Sequence, residues 1–157
     1  MITLLITGVG GPLGQALIKA ARQSSIPVRI LGTDRSELSV GLAWVDKKFI
    51  VPSCTQPAAY LEALRKICAA ERPHLILPGS DSELELLAGH AQGLREECGA
   101  TVVASSPEVL RTSLDKWETC RFLQGAGLNF PRFARLEDTD DTTRLVGELG
   151  FPLIAKP

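Results

Sequence analysis

Four glycines fall within seven residues, at Gly8, Gly10, Gly11 and Gly14, between the apolar run Ile2-Thr3-Leu4-Leu5-Ile6 and a helical pattern that opens with Pro12. Strand, glycine-rich turn and helix, in that order, can cradle an anion. Glycine lets the backbone turn sharply and approach a ligand. A helix start offers free N–H groups at the positive end of its dipole, and proline suits its first turn. A second candidate is Pro78-Gly79-Ser80-Asp81-Ser82-Glu83, at the end of the apolar strand His74 to Leu77. Asp81 and Glu83 there can orient a substrate, or Ser80, Asp81 and Glu83 can simply cap the following helix and complement its dipole. Asp34-Arg35, at the end of another strand, is open in the same way, Arg35 reading either as a solvated surface charge or as a substrate contact.

The elements that position these groups alternate. Strands are expected at 2–6, 27–33, 49–51, 74–77 and 101–104, with helices from Pro12 to about Gln23, from Pro57 to Glu71, and from a Ser82–Glu85 capping box to Gly99. The stripe Tyr60, Leu61, Leu64, Ile67 and Cys68 should face the core of the second helix. Residues 36–47 read as a long connection. Such alternation predicts a doubly wound, mostly parallel α/β sheet covered on both faces, with ligands at the carboxyl ends of its strands.

The character changes near Ser105. A short helix over 107–111, a second capped by Ser113 and ending at Gly125, a strand from Pro131 to Arg135, a helix from Asp140 to Leu149 and an apolar strand from Phe151 to Lys156 are expected. An unpaired strand at the end would be a sticky edge, so the sequence is expected to be a piece of a longer protein.

Composition narrows the partners. A length of 157 residues allows one full core and the beginning of another. With 17 basic against 18 acidic residues, the net charge of -1 argues against nucleic acid or an anionic membrane surface. No apolar run is long enough to cross a membrane, and Met1-Ile2-Thr3 enters a strand without a basic leader, so a cytoplasmic protein is expected. Cys54, Cys68, Cys98 and Cys120 lack metal or disulfide spacing, Cys68 and Cys98 reading as small buried hydrophobes. His74 and His90 are expected in structural roles.

Two segments are more specific: SLDKWETCRFLQGAGLNFPRF (113–133) and FPLIAKP (151–157). Asp115-Lys116, the Gly127 to Pro131 turn, and Phe151 to Pro157 stand in the order that resembles the opening of an ATP-grasp domain. Residues 1–104 resemble the Rossmann-like pre-ATP-grasp domain that precedes it, and GTDRSELSVGLAWVDKKFIVP with PGSDSELELLA is most similar to the carbamoyl-phosphate-synthase large-subunit-like branch and related carboxylate-amine ligases. The resemblance implies a domain at 1–104 and an incomplete α+β ATP-grasp domain at 105–157, with Lys116 and Lys156 reaching the phosphates of ATP. A lysine ammonium suits that task as a mobile point charge; the plainer reading is two solvated lysines. By the same resemblance Gly8, Gly10, Gly11, Asp34, Asp81 and Glu83 face the substrate, and the parent enzyme activates a carboxylate as an acyl phosphate for attack by an amine or ammonia, using ATP and Mg2+. The magnesium-holding carboxylates and the phosphate flap belong downstream, so these residues alone are expected to be inactive, with no catalytic or metal residue among them. A homodimer is left open.

Two other readings compete. Gly8-x-x-Gly11-x-x-Gly14 with Asp34, twenty residues beyond Gly14, also fits the coenzyme turn of extended short-chain dehydrogenases, in which the acid accepts from the ribose of NAD. The Tyr-x-x-x-Lys pair of that class is missing, because Tyr60 is followed at the fourth position by Leu64. A non-catalytic nucleotide-binding module is the third reading.

Overall fold

The computed structural model describes residues 1–156, so Pro157, the end of the 151–157 segment, lies outside the described residues. Met1–Ser106 forms one compact unit and the chain from Pro107 onward a second.

The first unit is built on five strands, β1 (Ile2–Ile6), β2 (Val28–Asp34), β3 (Lys47–Ile50), β4 (Leu75–Leu77) and β5 (Thr101–Val102), in the order β3-β2-β1-β4-β5. Every neighbouring pair is parallel, as the strand-helix alternation predicts, with Leu4 opposite both Ile30 and Leu75. Side chains alternate across a strand, and the two faces separate cleanly. Leu4, Ile6 and Ile30 pack with Ile18 of α1 (Pro12–Arg22) and Leu42 of a 3-10 turn (Val40–Ala43). Leu5, Leu31 and Ile76 pack on the other face with α2 (Pro57–Glu71), α3 (Asp81–Gly89) and α4 (Ala91–Cys98). All five residues of the α2 stripe are buried. Each fully buried leucine or isoleucine here contributes about 1.5–3 kcal/mol relative to an exposed one. The four cysteines are free thiols, and burial, with Cys98 nearby, pushes that of Cys68 up to about 12. His74 is structural, its Nδ1 accepting from the Thr3 N–H at 3.0 Å.

Three local expectations fail in this unit. The cap of α3 is Ser80, whose Oγ accepts from the Glu83 N–H, and the Ser82–Glu85 box does not form. The run expected to be one helix to Gly99 is two helices, broken at His90, where the His90 N–H turns to the Leu87 carbonyl and Nδ1 lies 2.9 Å from the Leu86 carbonyl. Strand β3 starts two residues earlier than the apolar run, because Asp46 anchors its entry by accepting from Arg22 and from the Ile30 N–H.

The second unit holds α5 (Pro107–Leu114), α6 (Lys116–Gly125) and α7 (Thr139–Leu149). Asp115, not Ser113, caps α6, accepting from the Glu118 N–H at 3.0 Å. Ser113 instead donates to the Leu110 carbonyl within α5. Neither 131–135 nor 151–156 is a strand. The first is held by its aromatic rings: Phe133 meets Trp117 edge-on at 4.9 Å and Phe130 at 6.0 Å, while the Arg135 guanidinium lies over Trp117. The second has no partner strand among the described residues, and its side chains are exposed. No helix among the described residues is long and apolar enough to cross a membrane.

Candidate functional site

Strand β1 ends at Ile6 and the chain turns through Thr7 to Gly11 before α1 starts. The Thr7 N–H donates to the Leu77 carbonyl at 3.0 Å, and the Gly79 N–H donates to Thr7 Oγ1 at 3.3 Å. The turns that follow β1 and β4 are therefore bonded side by side. These two strands are the neighbours at which the sheet order reverses, the point where an open α/β sheet leaves a crevice beyond its carboxyl ends. A cavity of about 440 Å3 opens there, reached also by the turns that follow β2 and β3.

Two buried carboxylates shape it. Glu83 accepts from the Tyr60 hydroxyl at Oε1 (2.8 Å) and from the Ser80 hydroxyl at Oε2 (2.9 Å). Oε2 lies so close to Gly8 that a Cβ there would collide with it, and Gly8 has a φ of +54°, a conformation that favours glycine. Asp34 accepts from the Gly10 N–H at Oδ2 (2.7 Å) and from the Ser36 N–H at Oδ1 (3.1 Å). Burial works to raise the Asp34 pKa, but the Ser39 hydroxyl and the backbone N–H groups of Ser36, Gly10 and Arg35 outweigh it and hold the carboxyl below its ordinary value. Burial first, and the Glu83 charge second, push the Tyr60 phenol far above its usual range.

The structure thus brings Gly8, Gly10, Gly11, Asp34 and Glu83 around one cavity. Asp81 is not among its lining residues; it is exposed on the first turn of α3, where its charge complements the helix dipole. The coenzyme reading gains nothing from this geometry. Asp34 is engaged by its own turn, and the Gly10 N–H that would meet a pyrophosphate is bonded to Asp34. Sequence reasoning missed Tyr60 and Ser80 as partners of Glu83. A signal existed for the first, since Tyr60 is the single tyrosine of the chain, and on a core-facing stripe its hydroxyl needs a buried acceptor.

In the second unit Lys116 occupies the first position of α6 and donates to the Leu114 carbonyl at 3.2 Å, while Lys156 is exposed outside any helix or strand. The cavity found in that unit is lined by Arg135 and residues 137–140, not by either lysine. Among the described residues no cluster of His, Cys, Asp or Glu could hold a metal ion, so these residues by themselves do not fit a magnesium site.

A doubly wound parallel domain with a glycine-lined crevice at its switch point is the class this unit defines. Comparison with known proteins specifies it further: residues 4–103 match the family described as PylC-like, N-terminal domain, and the chain belongs to that family. It is 26% identical over 147 residues to the carbamoyl phosphate synthase large chain of Myxococcus xanthus, a match spanning 92% of this chain and 13% of that one. Among solved structures, the ADP complex of an N5-carboxyaminoimidazole ribonucleotide synthetase matches with a TM-score of 0.65 at 20% identity, over 96% of this chain and 36% of that one. The biotin carboxylase domain of Hydrogenobacter thermophilus 2-oxoglutarate carboxylase, solved with MgADP and bicarbonate, matches with a TM-score of 0.60 at 19% identity, over 96% of this chain and 33% of that one. These two structures show the shared fold. The relatives are ATP-grasp enzymes, as the 113–133 and 151–157 segments lead one to expect. The chain spans about an eighth of that carbamoyl phosphate synthase and about a third of the two solved chains.

Proposed function

We propose that this chain is the N-terminal part of an ATP-dependent ligase that activates a carboxylate as an acyl phosphate for attack by an amine or ammonia. In this reading residues 1–104 are the pre-ATP-grasp domain and 105–157 open the ATP-grasp domain. The observation that carries it is the order of parts: a domain of the PylC-like N-terminal family is followed, after α5, by an Asp115-capped helix that starts with Lys116 and then by the Lys156 segment. Lys116 and Lys156 place their ammonium charges on ATP phosphates. Phosphoryl transfer needs such neutralisation more than covalent help from the protein. Gly8, Gly10, Gly11, Asp34 and Glu83 shape the cavity that faces the acid or amine substrate, and Asp81 supports α3 beside it. Magnesium bound with ATP would supply positive charge to offset that of the phosphates; among the described residues no cluster of His, Cys, Asp or Glu could hold it.

The reading is tested by ATP turnover. The 157-residue chain should hydrolyse no ATP above a Lys156→Ala control. A longer protein carrying the same segments should hydrolyse ATP in the presence of a carboxylate and an amine, and should lose that activity on Lys156→Ala. Hydrolysis by the 157-residue chain above its control, or saturable micromolar NAD binding, overturns the proposal.

A further inference from the structure

We infer that Cys68 and Cys98 are a reversible redox pair: a peroxide oxidises them to a disulfide that fastens the end of α4 to α2, and a dithiol reductant reopens it. The pair lies on the sheet face opposite α1, and its chemistry is independent of the ligase reading.

Cys68, on the core-facing stripe of α2, is fully buried, and Cys98, the last residue of α4, is half-buried against the same apolar cluster. The ion pair of Arg65 and Glu97, Nε to Oε2 at 2.6 Å, draws the two helices together at this point. Arg65 stands one turn before Cys68, and Glu97 immediately precedes Cys98. The two thiols are close enough for Cys98 to act on the ionisation of Cys68. Neither remaining cysteine competes. Cys54 lies near Tyr60, and Tyr60 precedes Cys68 by about two turns, roughly 12 Å along the α2 axis. Cys120 belongs to the second unit.

Burial decides the order of events. The thiolate is the reactive form of cysteine, and burial pushes the Cys68 thiol up to about 12, so this sulfur stays protonated and shielded from solvent. Cys98 therefore reacts first. Its thiolate attacks one oxygen of the peroxide, an S–O bond forms as the O–O bond breaks, and the departing hydroxide takes up the proton the thiol released, which leaves a sulfenic acid and water. The Cys68 sulfur then attacks the Cys98 sulfur. The S–S bond forms, the S–O bond breaks, and the second hydroxide carries the Cys68 proton away as water. The two thiols have lost two electrons and two protons, and hydrogen peroxide has become two molecules of water. The bridge ties α4 to the helix whose Tyr60 holds Glu83.

The test is oxidation of the folded 157-residue chain with hydrogen peroxide, followed by alkylation of the remaining thiols, digestion and mass spectrometry. The Cys68 and Cys98 peptides should appear joined, two hydrogens lighter than their sum, and should exceed every other cysteine pairing about tenfold or more, because the fold holds these two sulfurs together. Dithiothreitol should return both free thiols. The same treatment in denaturant should give a mixture of pairings, since the fold no longer selects the partner. Cys68→Ala should leave Cys98 as a sulfenic acid that dimedone traps, and Cys98→Ala should leave Cys68 reduced. If either variant fails to fold, the map of the parent chain decides by itself. Free thiols at Cys68 and Cys98 after the peroxide treatment, or another pairing in equal or greater amount, overturn the redox pair. Oxidation of Cys68 in folded Cys98→Ala as readily as in the parent overturns it too.

Discussion

The hydroxyl of Tyr60 donates to Glu83 Oε1 across 2.8 Å, joining the first turn of α2 to the first turn of α3 at the carboxylate against which Gly8 rests. One buried hydrogen bond thus links the core-facing stripe of a helix to the wall of the cavity. Tyr60→Phe leaves that acceptor unanswered on one side and should destabilise the chain by about 1–3 kcal/mol. Denaturant unfolding measures the loss, and amide hydrogen exchange at Gly8 to Gly11 should quicken.

The same pair sets an alkaline limit. The unfolded phenol ionises near pH 10, whereas burial and the Glu83 charge raise the folded value above it. A raised folded pKa gives stability that is fully present below pH about 10 and is lost as pH rises beyond it. Because the chain has one tyrosine, tyrosinate absorbance should appear together with unfolding and not before it. Ionisation of the phenol near pH 10 in the still-folded chain would refute the Tyr60–Glu83 account.

Asp34 sets the opposite limit. Its folded pKa is depressed, so its contribution is present above the unfolded value of about 3.9 and disappears as pH falls below it. Asp34→Asn should cost about 1–3 kcal/mol at neutral pH, since an amide cannot answer both the Gly10 and Ser36 N–H groups. It should also flatten part of the acid unfolding curve. The parent and variant curves should converge once the pH falls below the depressed folded pKa of Asp34.

Glycine positions separate packing from chain freedom. A Cβ on Gly79 would drive into the Thr7 carbonyl, a backbone atom that cannot yield, so Gly79→Ala should cost at least about 2 kcal/mol. Gly93, within α4, offers a Cβ only an ordinary contact with Glu97, and Gly93→Ala should stabilise by about 0.5–1 kcal/mol. Thermal unfolding of the two variants should shift in opposite directions.

Lys116→Ala and Lys156→Ala should leave stability within about 0.5 kcal/mol of the parent, because both side chains are exposed. In a longer protein with ligase activity each should raise the ATP concentration needed for turnover. A large loss of stability with unchanged ATP dependence would assign them structural roles.

Much of the sheet was legible because its signals are local. The period of the α2 stripe placed Tyr60, Leu61, Leu64, Ile67 and Cys68 inward, and all are buried. The proline and glycine punctuation bracketed each strand to within a few residues. The second unit was read less well. Phe-Pro-rich runs at 131–135 and 151–156 have the composition of strands, but a strand exists only where another backbone pairs with it, and that partner is not written in the segment. The sequence offered two caps for α3, because Ser80 and Ser82 both precede a glutamate by three, and only the path of the chain after β4 decides that Ser80 stands at the helix start.

By itself the sequence determined that a glycine turn follows the first strand and that acids stand at the ends of β2 and β4. These depend on residue type, spacing and local backbone preference. The tertiary structure decided what those groups do. It bonded Asp34 and Glu83 to donors of their own chain, drawn from segments as far apart in sequence as Tyr60 and Gly10, and left Arg35 exposed at the rim with no ion pair among the described residues. Whether a carboxylate or an arginine is available to a ligand is settled by which neighbours the fold brings within hydrogen-bonding distance, a property of the packed chain and not of the segment that carries it.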